Sequence, residues 1–103
     1  HPASSDSIST SGNKEDFVSM GMTSANKLLR VVINTRNVLA IEALAAAQAH
    51  DFRAPLQTSK RGQVALKAIR AVSPPITEDR VFAADFAKVA DVIAKGKLAA
   101  ALR

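Results

Sequence analysis

The sequence contains no cysteine, tryptophan or tyrosine and only four phenylalanines, Phe17, Phe52, Phe82 and Phe86, in 103 residues. Without cysteine there are no disulfides and no thiolate metal sites, which fits a reducing compartment. Without Trp and Tyr the apolar load falls on alanine and medium aliphatics. Each buried residue then removes little area from water, and a chain this small gains little core by itself. No uninterrupted apolar run reaches the ~18–20 residues that a bilayer span needs, and no secretory or lipidation signal is visible. The expectation is a cytoplasmic protein without a membrane partner. The chain does not open on Met, and His1-Pro2 reads as the cut end of something longer.

What is present is unevenly placed. Of the formal net charge of +5, residues 1–50 contribute nothing, since Lys14, Lys27, Arg30 and Arg36 balance Asp6, Glu15, Asp16 and Glu42. The excess lies in residues 51–103. A basic half invites a nucleic-acid reading. No aromatic residues interleave with its Lys and Arg to stack bases, however, and no binding motif is present. A solvated basic face is therefore expected, with no nucleic-acid partner. Lys60-Arg61 with Lys67 and Arg70 is its densest part, read as a solvated helix face or an intersubunit contact.

At this length the chain is at most one domain. Residues 1–12, HPASSDSISTSG, are Ser-rich, carry Pro2 and Gly12, and read as a loop. Residues 13–103 read as a helical region. Asn13 is a good N-cap and Asp16 imitates a capping box, so a long helix is expected from about 14 to 50. Apolar residues at 18, 22, 25, 29 and 32 follow a helical period. VLAIEALAAAQA (38–49) has only Glu42 and Gln48 as strongly polar positions, which predicts burial on every side. Such a helix spans roughly 50 Å, more than the rest of the chain can wrap. Other chains, or other parts of a longer one, are expected to cover it.

His50, beside Asp51 at the end of that helix, reads as a C-terminal capping or surface residue rather than a metal ligand. Thr58 or Ser59 is expected to cap a second helix with Ala65, Ile69 and Val72 on one face and Leu66 beside them. Ser73-Pro74-Pro75 stops it. A turn at Thr77–Arg80 leads to a third helix with Phe82, Phe86, Val89 and Ile93 on one face, ended by Gly96. The apolar tail LAAAL (98–102) is expected to pack as another turn. The fold class is all-α: one long helix and two shorter ones, forming part of a multi-subunit helical bundle.

The segment DSISTSGNKEDFVSMG (6–21) is by spacing alone a loop, a cap and a helix start with two adjacent acids. Together with VLAIEALAAAQAHDFR and AVSPPITEDRVFAADF, it resembles the C-terminal region of the aromatic amino-acid ammonia-lyases, most of all those acting on histidine. The resemblance covers essentially the whole chain. It implies a largely helical homotetramer in which several subunits build each active site. It also implies an electrophile, 4-methylideneimidazole-5-one, formed from an internal Ala-Ser-Gly triplet. An aromatic amino acid then loses ammonia to leave an unsaturated acid, urocanate where the substrate is histidine.

By the same resemblance Glu15 is the catalytic candidate, lying where histidine-specific members place a glutamate near the substrate. Asn13, Lys14 and Glu15 are the substrate-binding candidates. A carboxylate suits contact with an ammonium or imidazole, or proton shuttling. The chain departs from the usual NQEDHVSM of histidine-specific members, reading NKEDFVSM, with Lys14 for a neutral amide and Phe17 for an imidazole. A lyase or aminomutase acting on tyrosine or phenylalanine is the alternative, and a non-catalytic helical assembly module is another. The sequence holds no Ala-Ser-Gly triplet and no Tyr. The chain is therefore expected to be an inactive fragment of a larger lyase, with no cofactor of its own.

Overall fold

The computed structural model describes residues 2–101. The expected cut end at His1 and the last tail residue, Leu102, lie outside the described residues. Among those described, every regular element is helical. A 3-10 turn at Ala3–Ser5 precedes α1 (Gly21–Asp51), α2 (Lys60–Arg70), α3 (Ala83–Ala94) and the short α4 (Lys97–Ala101). None of these helices is long and apolar enough to cross a membrane.

The long helix is present and ends where expected, but it begins seven residues later than position 14. Asn13 does not cap it. Ser11, Gly12 and Asn13 all have positive φ, at 53°, 64° and 67°, and a run of left-handed residues turns the chain back on itself. The first α1 bonds come later, with the Ser24 N–H donating to the Met20 carbonyl at 3.0 Å. The capping-box pattern and the turn pattern compete for the same residues. Gly12-Asn13 favours the turn because Gly carries no Cβ penalty there and Asn tolerates the left-handed region.

The chain divides between Asn34 and Thr35 into two units. The first holds the N-terminal loop and the opening turns of α1. Its helix carries an apolar surface that this unit leaves open: Met22, Leu28, Leu29, Val31, Val32 and Ile33 are all exposed.

The second unit contains the core. Ala40, Leu44 and Ala47, spaced i, i+4 and i+7 on α1, pack with Ile69 of α2 and Val89 and Ala90 of α3. Leu66, Val72, Phe86 and Ile93 complete the cluster, so the expected apolar faces of α2 and α3 are the ones buried. The two alanines of α1 are fully buried, and their small size lets the helices approach closely. Within this chain one face of 38–49 is buried, and Val38, Leu39 and Ile41 remain exposed.

Capping follows the expected chemistry at α2, where the Ser59 hydroxyl accepts from the Gly62 N–H at 3.2 Å. Gly96, at φ +66°, ends α3, and the tail turn is α4. The connection between α2 and α3 is held by polar side chains. The Gln48 amide pairs with Ile76 in both directions, accepting from its N–H at 2.9 Å and donating to its carbonyl at 3.1 Å. Arg70 ion-pairs with Asp51 and reaches the carbonyls of Ser73 and Pro74. It therefore leaves the solvated basic face expected of it, which Lys60, Arg61 and Lys67 keep.

The buried Ser73 hydroxyl donates to Asp85 Oδ1 at 2.7 Å, and Arg80 Nε donates to its Oδ2 at 3.3 Å. The Ser73 hydrogen bond, then that of Arg80, holds the Asp85 carboxyl below its ordinary range, against burial, which raises it. Arg80 also lies over the Phe82 ring, 5.6 Å from its centroid. His50 occupies the last turn of α1, as expected, but its Nε2 is buried with no hydrogen-bond partner among the described residues.

Candidate active-site hairpin

The sequence candidates Asn13, Lys14 and Glu15 all fall in one small structure, a hairpin over residues 6–18. Its arms meet at Thr10 and Glu15. The Thr10 N–H donates to the Glu15 carbonyl at 3.1 Å and the Glu15 N–H to the Thr10 carbonyl at 3.3 Å. The three left-handed residues and Lys14, whose N–H donates to the Ser11 carbonyl at 3.4 Å, form the tip.

Three residues further out on each arm, Ser7 meets Val18 in the same antiparallel register. Here a side chain makes the link. The Val18 N–H donates to Ser7 Oγ at 2.9 Å, and the Ser7 hydroxyl lies 3.4 Å from the Val18 carbonyl, to which it donates. The Ser7 N–H is itself directed at Asp6 Oδ1, 3.1 Å away. Ser7 and Val18 are half-buried, while residues 11–17 are exposed.

The arrangement brings the three candidates together at the tip and first residue pair of a hairpin rather than in the first turn of a helix. Asn13 shapes the turn through its backbone. Lys14 places a cation next to Glu15 in the chain, and Glu15, whose carboxylate is an acceptor, is exposed on a backbone pinned by two hydrogen bonds. Phe17 is 70% exposed, a large apolar ring held out of any core in this chain. Amide, ammonium, acid and ring, from Asn13, Lys14, Glu15 and Phe17, thus share one exposed stretch at the end of the hairpin. Among the described residues no group of three or more His, Asp or Glu side chains is placed to hold a metal.

Sequence reasoning did not identify Ser7, although a Ser-rich arm before a Gly-Asn turn carries a signal for side-chain closure of a loop. Nor did it anticipate the Gln48–Ile76 and Ser73–Asp85 contacts, whose partners lie 28 and 12 residues apart in the chain.

An all-helical scaffold that projects a polar hairpin at the head of a long helix has close counterparts among solved structures. The crystal structure of histidine ammonia-lyase from Trypanosoma cruzi superposes with a TM-score of 0.88 at 44% identity, over 99% of this chain and 20% of that one. Tyrosine aminomutase from Streptomyces globisporus gives 0.88 at 37% identity, over 98% of this chain and 19% of that one. Residues 1–71 match the family described as aromatic amino acid lyase, and the chain belongs to that family. Among curated relatives, the histidine ammonia-lyase of Koribacter versatilis is 70% identical over all 103 residues, which make up 20% of its length. The chain thus spans about a fifth of the length of the relatives it matches.

Proposed function

We propose that residues 13–103, led in by the loop before them, form the C-terminal helical region of a histidine ammonia-lyase. In that enzyme the substrate loses its α-amino group as ammonia and a β-proton to give urocanate. The observation that carries this reading is the 70% identity to a histidine ammonia-lyase along the entire chain. The hairpin supports it by setting out a carboxylate, Glu15, where it can meet a substrate ammonium or imidazole arriving from outside the chain.

The homotetramer, the cytoplasmic location and the prosthetic group belong to the same proposal. When bound, 4-methylideneimidazole-5-one supplies the electrophile that activates the substrate for loss of ammonia. The sequence holds no Ala-Ser-Gly from which to form it, so the group would come from another part of the enzyme. A carboxylate and an amide on an exposed tip fit a role facing it. Glu15 accepts hydrogen bonds from the substrate and holds or passes a proton at its carboxylate oxygens. Asn13 keeps the turn that presents it, and Lys14 adds a positive charge at the rim. By itself the 103-residue chain forms no urocanate from histidine.

A second reading, action on tyrosine as a lyase or aminomutase, draws on Phe17 and Lys14, which depart from the pattern of histidine-specific members, and on the equal superposition of the aminomutase. Comparing kcat/KM for histidine and tyrosine in the full-length enzyme decides between them. A preference for histidine supports the first reading, and a preference for tyrosine replaces it with the second.

A further inference from the structure

We propose that Ser7 is a positioning residue for Glu15: its hydroxyl locks the base of the hairpin and so fixes where the Glu15 carboxylate is presented. The inference rests on the proposed role of Glu15 in turnover and adds to it the device that holds the acid in place.

The observation is the pairing geometry. A two-stranded hairpin is marginal in water without support, and backbone bonds join the arms of this one at Thr10–Glu15. That pair sits directly beside a tip in which three successive residues have positive φ, a conformation that Ser11 and Asn13 adopt at a cost. A strained tip closed by one residue pair has an easy opening motion, in which the arms part and Glu15 swings with them. Ser7 opposes that motion. Its hydroxyl satisfies both backbone groups of Val18, at 2.9 and 3.4 Å, three residues beyond Glu15 on the same arm. Residues 15–18 are thereby held at both ends, and Val18 leads within three residues into α1, which starts at Gly21. The hydroxyl is half-buried and acts as donor and acceptor together, a combination that serine and threonine provide from so short a side chain.

Placement of a reacting carboxylate within a fraction of an ångström governs rate steeply, and a misplacement of 1 Å costs roughly 100-fold. Ser7→Ala leaves the chemistry of Glu15 intact but frees its arm. The expected result in the full-length enzyme acting on histidine is a fall in kcat of about tenfold or more, with KM changed less than kcat. Ser7→Thr, which keeps the hydroxyl, restores most of it.

The decisive measurement is a double-mutant cycle with Glu15→Gln, read in kcat. If Ser7 works through Glu15, adding Ser7→Ala to Glu15→Gln costs little more than Glu15→Gln alone, because the positioned group is already gone. Two independent losses that multiply would overturn the proposal, as would wild-type kcat in Ser7→Ala beside an impaired Glu15→Gln. Wild-type kcat in Glu15→Gln would instead remove the role of Glu15, and this inference with it. Should Ser7→Ala fail to fold, Ser7→Cys carries the same cycle, since its thiol is a weaker donor and acceptor in a similar volume.

Discussion

Asp85 shows how much a single side chain organises in a chain with so small a core. It joins the end of α2, the proline-containing connection and the first turn of α3 through Ser73 and Arg80. Its folded-state pKa is depressed, so its stabilisation is fully present above the unfolded value of about 3.9 and is lost as pH falls through the folded value. Asp85→Asn is expected to lower the thermal midpoint at neutral pH, with the gap to wild type narrowing below about pH 3.9. A gap independent of pH would assign the residue to packing alone.

Asn13 carries the second prediction at this scale. At φ 67° a β-branched side chain is strained, so Asn13→Val costs about 1–2 kcal/mol, whereas Asn13→Gly is neutral or nearly so in chemical denaturation. Equal effects of the two would mean that the amide, and not the backbone, is what matters. The sequence pattern NKED was legible as a stop between loop and structure. Its meaning as a turn and not a cap was not, because both uses select the same residue types and the choice is made by Thr10, Glu15, Ser7 and Val18 pairing across the arms.

At the scale of elements, the helical periods at 65–72 and 82–93 were enough to place α2, α3 and their buried faces, since amphipathic spacing is a local property. The stops at Ser73-Pro74-Pro75 and Gly96 were equally local. What spacing does not reveal is which alanines of 38–49 face a neighbour, because every position there except Glu42 and Gln48 is apolar or small. The structure selects Ala40 and Ala47, fully buried, and leaves Ala49 exposed. Ala47→Leu therefore overfills the contact between α1 and the core and is expected to cost about 1–3 kcal/mol. Ala49→Leu stays within about 0.5 kcal/mol. Thermal or urea unfolding of the two variants checks the assignment, and a reversed order would mean that α1 is rotated about its axis.

For the whole molecule, each unit leaves apolar side chains of α1 exposed, Leu28, Leu29 and Val32 in the first and Val38, Leu39 and Ile41 in the second. Each Å² of such surface that another chain covers returns roughly 25 cal/mol. The 103-residue chain is accordingly expected to self-associate at tens of micromolar in sedimentation equilibrium. A single monomeric species with cooperative unfolding would show that the helix needs no cover.

In the proposed function, this chain contributes Glu15 to a histidine ammonia-lyase site completed elsewhere in the enzyme. This is tested most directly by urocanate formation from histidine in three samples: the full-length enzyme, its Glu15→Gln variant and the 103-residue chain alone. Turnover is expected in the first and a loss of about 100-fold or more in kcat in the second, with the thermal midpoint retained. No product is expected from the third. Wild-type kinetics in Glu15→Gln, or turnover by the chain alone, would contradict it.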